Sequence, residues 1–250
     1  FVQRPEDLVE ARRLIAGRAG LMTKLEKPAA LDHLDEIVKA SDSVMVARGD
    51  LGVELPPEKV PGAQKRILRA CRLYGKPSIV ATQMLESMIV SPTPTRAEAS
   101  DVASAVYDGA DAVMLSAESA SGAYPVQAVS IMDRIIGEVE SDPFYPKMIN
   151  VQHEIAVPSK SDAICSALKM VSQMVGAVVN VTYTDSGNTS LRAARERPVA
   201  PILSITPHLA TARRLALAWG VHSTVIDHDV KDVDEMVDAA CRTAYFEGFA

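Results

Sequence analysis

Two carboxylates, Glu26 and Asp50, close two short apolar runs, Leu21-Met22-Thr23-Lys24-Leu25 and Val44-Met45-Val46-Ala47 with its Arg48-Gly49 extension. On neighbouring parallel strands the two would lie close enough to share one hard cation. An all-oxygen pair without His or Cys suits Mg2+ or Mn2+ rather than Zn2+. It also leaves coordination positions for a substrate carboxylate, enolate or phosphate oxygen. Lys24, two residues before Glu26, falls on the same strand face and brings positive charge beside that group. The backbone amides around Gly49 and Asp50 are a second place for ligand contact, because parallel α/β sheets handle ligands at the carboxyl ends of their strands. Gly-Asp after a strand also makes an ordinary turn, and Lys-x-Glu an ordinary solvated ion pair; residue types alone leave both alternatives open.

Placing those groups at strand ends requires a repeated strand-then-helix chain, and the periodicity supplies one. Apolar spacing predicts helices over 6–15, 31–40, 57–74, 95–107 and 124–140, with strands over 21–26, 44–47, 78–81 and 112–115. The third strand ends in Thr82-Gln83-Met84 and the fourth in Ser116-Ala117-Glu118. Four such units fit half of an eight-stranded TIM (β/α)8 barrel or part of a doubly wound sheet. No Gly-x-Gly-x-x-Gly fingerprint and no Walker loop occurs, which favours the partial barrel. This gives a barrel domain over 1–140, a Pro-containing connection over 141–160 and a smaller α/β domain over 161–250. In the last, helices are predicted over 162–174, 189–196, 209–219 and 233–249, alternating with strands over 177–182, 202–205 and 221–226.

With 250 residues and 48% hydrophobic content the chain can bury a full core. Its apolar runs are too short to span a bilayer. The net charge of -6, without a basic stripe, argues against nucleic acid and anionic membrane as partners. Cys71, Cys165 and Cys241 are far apart and lack metal-ligand spacing, which fits free thiols in a reducing cytoplasm. The start Phe1-Val2-Gln3-Arg4 has neither an initiator Met nor a signal-peptide pattern, so the chain reads as part of something longer. His153, His208 and His222 show no metal spacing, and Trp219 with Leu215 and Leu217 reads as core.

The motifs Thr23-Lys24-Leu25-Glu26, Met45-Val46-Ala47-Arg48-Gly49-Asp50-Leu51-Gly52-Val53-Glu54, Ala81-Thr82-Gln83-Met84-Leu85-Glu86-Ser87-Met88, Pro94-Thr95-Arg96-Ala97-Glu98 and Asp108-Gly109-Ala110-Asp111-Ala112-Val113-Met114-Leu115-Ser116-Ala117-Glu118 resemble, in order, the second half of the pyruvate kinase barrel. The likeness continues through Ser186-Gly187-Asn188-Thr189 and Ala212-Arg213-Arg214-Leu215. It implies a glycolytic phosphotransferase acting on phosphoenolpyruvate and ADP to give pyruvate and ATP. Glu26 and Asp50 would hold the divalent metal, and Lys24 would stabilise charge on the phosphoryl group and the enolate. The amides of Gly49 and Asp50 would receive the substrate carboxylate, Thr82 would lie over the substrate, and Ser116 and Glu118 would stand near proton delivery. The resemblance further implies a homotetramer and a K+ requirement whose ligands lie outside this chain, along with an Arg and nucleotide contacts that are also outside it. The isolated chain is therefore expected to be inactive.

Ala117 stands where the family usually has Gly, and its methyl would disturb Glu118 if the backbone there needed positive φ. Arg48 reads as structural, holding the Gly49 turn or a subunit contact. In the second domain, Thr184, Ser186, Gly187, Asn188 and Thr189 lie in a strand-to-helix loop that could cradle an effector phosphate or simply cap the helix. Asp185 takes the place of a Lys, and His228-Asp229-Val230-Lys231 offers neither the Trp nor the Arg of members responding to a sugar bisphosphate. A sugar or nucleotide monophosphate, or no effector, fits better. Two rival readings are a metal-dependent pyruvate aldolase or lyase and a non-catalytic regulatory fragment.

Overall fold

Short β-branched and small apolar runs become the strands of two parallel sheets in the computed structural model, which describes residues 1–151, 159–226 and 232–249. The chain divides into two compact units, Phe1–Glu154 and Ile155–Ala250. In the first, β1 (Met22–Leu25), β2 (Ser43–Ala47), β3 (Ser78–Ala81) and β4 (Ala112–Met114) lie in the order β1-β2-β3-β4. The register sets Leu25 beside Val46, Ala47 beside Ala81, and Ala81 beside Met114, so all four strands end at one edge. Alternation then sorts the side chains. Leu25, Val44, Val46 and Val80 enter a core with Ile37, Ile67, Leu68, Val102 and Met132 from the surrounding helices. The opposite face holds exposed Lys24 and half-buried Met22, Met45 and Met114.

The helices mostly follow the apolar spacing, and the exceptions have local causes. The segment 31–40 is two helices, Pro28–Asp32 and Leu34–Ala40, because His33 leaves helical geometry at φ −115, ψ 26. The long helix after Pro57 opens as a 3-10 turn, Pro57–Lys59, and becomes α-helical over Val60–Leu73. Residues 48–54, which allowed a plain turn, form a helix, Arg48–Glu54. Gly49 and Gly52 each disfavour a helix by about 1 kcal/mol relative to Ala. Full burial of Leu51 and near-full burial of Arg48 outweigh that preference. Helix Arg96–Tyr107 starts at a capping box formed by Thr95 and Glu98. Within 141–160 a further helix, Tyr145–Val151, buries Tyr145 and Ile149 in the first unit, and Arg72 donates to the Ile149 carbonyl. Its Pro146 sits in the first turn, where a missing N–H costs nothing.

The second unit pairs β5 (Asn180–Tyr183), β6 (Ile202–Thr206) and β7 (Val221–Val225) in the order β5-β6-β7, all parallel. Central β6 is buried throughout. Helices Lys160–Val175, Asn188–Glu196, Leu209–Leu215 and Val233–Phe246 complete the unit. The helix expected over 209–219 stops at Leu215. Leu215 is core, whereas Trp219 is half-buried under the Arg197 guanidinium, 4.8 Å from its ring centre. His222 is satisfied by Glu247, at 2.7 Å. His153 and His228-Asp229-Val230-Lys231 lie outside the described residues.

Candidate active site

At the carboxyl edge of the first sheet, Lys24 Nζ lies 2.5 Å from Glu26 Oε2 and 2.7 Å from Asp50 Oδ2. β1 delivers Lys24, Glu26 follows directly after its last residue, and the first turn of helix Arg48–Glu54 delivers Asp50. The three therefore meet across β1 and β2 as neighbouring strands dictate. Glu26 is only 4% exposed, while the Asp50 side chain is 51% exposed, so the site has a buried wall and a solvent-facing wall. Hydrogen bonding from the Lys24 ammonium holds the Glu26 carboxyl well below the usual carboxylate range. The bonds to Asp50 and Glu26 in turn raise Lys24, which stays protonated. Two carboxylates converging on one ammonium form a hard, all-oxygen donor pair, and that donor set suits Mg2+ or Mn2+. The described residues contain no group of three or more His, Cys, Asp or Glu side chains able to hold a metal.

Beside this triad the chain turns in an unusual way. Thr82 and Gln83, directly after β3, have φ of 68 and 53. The left-handed region is unfavourable for residues with a Cβ by roughly 1–2 kcal/mol each, and a β-branched Thr is an outlier there. The turn brings the Thr82 hydroxyl back over helix Arg48–Glu54: Gly49 N–H donates to Thr82 Oγ1 at 2.8 Å, and the hydroxyl donates to the Ala81 carbonyl at 2.6 Å. A Cβ on Gly49 would sit 3.3 Å from Thr82 Oγ1, so the absence of a side chain permits the approach. The Gly49 amide assigned by resemblance to the substrate carboxylate is thus already engaged by Thr82. Arg48 holds this turn instead of the Gly49 turn. Its Nη2 donates to the Thr82 carbonyl at 2.8 Å and the Gln83 carbonyl at 3.0 Å, and its Nη1 meets Asp101 at 2.6 Å.

Glu118 is 3% exposed, and both its oxygens accept backbone amides, from Ser116 at 2.7 Å and Leu85 at 3.2 Å. It fastens the loop after β3 to the end of β4. Ser116, half-buried, precedes the short helix Ala117–Ala120, and Ala117 is helical there, so its methyl needs no positive φ. Glu98 grips the same post-β3 loop, accepting the Ser87 amide at 2.7 Å and hydroxyl at 2.6 Å. Burial alone would push Glu98 up, but the bonds from Ser87 and Thr95 outweigh it and hold it below the ordinary value. Lys24 joins Glu26 and Asp50, and Gly49, next to Asp50, binds Thr82; Glu118 binds the Leu85 amide, three residues after Thr82 in the same loop. Sequence reasoning missed Asp101 and Glu98; the Thr95-x-x-Glu98 box was visible as a helix start, but nothing local marks Asp101 as the partner of a residue in another loop.

The loop of the second unit is built differently. Thr184 Oγ1 accepts the Gly187 amide at 2.9 Å, Thr211 donates to the Asp185 carbonyl at 2.7 Å, and Arg214 donates to the Ser186 carbonyl. Gly187 has φ 83 and caps helix Asn188–Glu196. Ser186, Asn188 and Thr189 are exposed, and the Ser190 hydroxyl is consumed internally by Thr182 and Ser204.

Four parallel strands with charged groups gathered at their carboxyl edge, and a separate three-stranded parallel unit after them, define a partial β/α barrel followed by an α/β domain. The family model described as pyruvate kinase, barrel domain, matches residues 1–129, and that described as pyruvate kinase, alpha/beta domain, matches 162–250. The chain belongs to the pyruvate kinase family. A pyruvate kinase of Methylorubrum extorquens is 54% identical over 250 residues, spanning 100% of this chain and 52% of that protein. One from Agrobacterium vitis is 59% identical over 221 residues, 88% of this chain and 46% of its own length. The crystal structure of a pyruvate kinase from Cryptosporidium parvum superposes with a TM-score of 0.93 at 37% identity, covering 100% of this chain and 53% of that one. The chain thus spans about half the length of the relatives it matches. No described helix is long and apolar enough to cross a membrane.

Proposed function

We propose that the protein containing this chain transfers the phosphoryl group of phosphoenolpyruvate to ADP, giving pyruvate and ATP in the cytoplasm as a step of glycolysis. The observation that carries the reading is the Lys24 ammonium held between Glu26 and Asp50 at the sheet's carboxyl edge. Glu26 and Asp50 would hold Mg2+ or Mn2+, which supplies Lewis-acid charge for substrate oxygens when bound. Lys24 neutralises charge gathering on the phosphoryl oxygens and on the enolate released as the phosphorus–oxygen bond breaks, in a reaction that needs positioning and positive charge more than covalent help. Asp50 and Gly49, at the start of their helix, orient the substrate carboxylate, with Thr82 shifting its hydroxyl to the substrate. Protonation of the enolate carbon then runs through the Thr82 or Ser116 hydroxyl and water. Glu118, with both oxygens held by amides, keeps that loop in place.

The remaining strands, the K+ ligands and the nucleotide contacts belong to segments outside this chain, and the working protein is a homotetramer. Thr184, Ser186, Gly187, Asn188 and Thr189 form a loop that takes a sugar or nucleotide monophosphate, or no effector at all; Asp185, standing where a Lys would attract a second phosphate, disfavours a sugar bisphosphate. A coupled assay of the full-length protein should yield one pyruvate and one ATP per phosphoenolpyruvate, dependent on ADP and divalent metal. Pyruvate formed without ADP, or by aldol cleavage, would overturn the proposal. Residues 1–250 alone should be inactive.

A further inference from the structure

We infer that Arg48 is a positioning residue for the reaction: its guanidinium, steadied by Asp101, imposes the left-handed turn that sets the Thr82 hydroxyl over the site. The inference rests on the assignment of Thr82 to the substrate pocket. Neither Thr82 nor Gln83 favours positive φ, yet both adopt it in succession, and such an arrangement persists only where surrounding contacts over-determine it. Arg48 is that contact. It is 8% exposed, and one nitrogen, Nη2, serves both turn carbonyls while Nη1 is tied to Asp101. Its Nε has no hydrogen-bond partner, so the two ends of the guanidinium alone set its orientation.

Two features tie the clamp to the chemistry. Arg48 is the first residue of the helix that carries Gly49 and Asp50, so a single side chain fixes Thr82 relative to the carboxylate at Asp50. Asp101 lies on helix Arg96–Tyr107, whose Glu98 holds Ser87 further along the same loop; the loop is therefore referenced to one rigid helix at two points. A lysine could not reproduce this, because a point charge lacks the planar fork that reaches two carbonyls and a carboxylate together.

The test uses the full-length protein and two readouts, steady-state kinetics and amide exchange by mass spectrometry over peptides spanning 44–55 and 79–90. Arg48→Ala should lower kcat about 100-fold, the cost of displacing a positioned group by about an ångström. KM for phosphoenolpyruvate should move much less, and exchange in both peptides should accelerate. Arg48→Lys should remain impaired. Adding Gln83→Gly to Arg48→Ala should recover about tenfold in kcat and slow exchange again, since glycine adopts positive φ without strain. Should Arg48→Ala fail to fold, Asp101→Asn, at a half-exposed side chain, gives the same pattern more weakly. Unchanged exchange in Arg48→Ala or Asp101→Asn, or no recovery with Gln83→Gly, overturns the inference. Faster exchange with unaltered kcat would leave the clamp standing but remove Thr82 from the chemistry, which refutes the underlying assignment instead.

Discussion

Two strand-to-helix junctions, Ala47–Gly52 in the first unit and Thr184–Ser190 in the second, begin from the same ingredients and end differently. Each follows a parallel strand, opens a helix and contains a glycine at which a Cβ would meet its nearest neighbour at 3.3 Å. Around Gly187 the polar groups satisfy one another: Thr184 takes the Gly187 amide, and Thr211 and Arg214 take the loop carbonyls. The left-handed residue is a glycine, so little strain is stored. Around Gly49 the left-handed residues are Thr82 and Gln83 in the next loop, held by a buried arginine, and an ammonium is shared by two carboxylates. Strain and opposed charges are concentrated at the junction proposed to react, whereas the junction in the second unit is closed by its own hydrogen bonds.

That contrast can be broken most severely at the carboxylates. Glu26→Gln in the full-length protein should reduce turnover by about 1,000-fold at fixed Mg2+, and Mn2+ titration followed by electron paramagnetic resonance should show weakened binding. Crossed glycine substitutions sharpen it next. Gly49→Ala should cost about tenfold in kcat by pressing on Thr82 Oγ1, while thermal stability holds or rises by up to about 1 kcal/mol because Ala favours helix. Gly187→Ala should do the reverse, leaving basal turnover near wild type and lowering stability by about 1–2 kcal/mol, since its φ of 83 suits glycine alone. The smallest effect is in acid. With the Glu26 carboxyl held below its ordinary 4.5 chiefly by Lys24, its stabilising share is full above 4.5 and is lost as pH falls through the lowered value. Denaturant midpoints across that window should fall more steeply in the wild type than in Glu26→Gln.

The strands were legible because four- and five-residue runs such as Ser43–Ala47 and Ser78–Ala81 are small, β-branched and bounded by polar residues. The Lys24, Glu26 and Asp50 grouping was legible for a related reason: neighbouring parallel strands bring consecutive strand ends together. What escaped depends on tertiary contact. Helix Arg48–Glu54 contains two glycines that locally favour a turn, and only the burial of Leu51 and Arg48 decides against it. The left-handed Thr82–Gln83 pair carries no glycine or asparagine to announce it. Asp101 and Glu98 acquire their roles from partners in other loops, and helix Tyr145–Val151 hides among prolines until Ile149 finds the core.

The central claim is that the Lys24 ammonium, gathered with Glu26 and Asp50, stabilises the charge of phosphoryl transfer. Its most direct test is Lys24→Met in the full-length protein, with turnover and phosphoenolpyruvate affinity measured side by side. A fall in kcat of about 100- to 1,000-fold with affinity changed only a few-fold is the result expected of a group acting in the transition state. Unchanged turnover, or a loss confined to affinity, would contradict it.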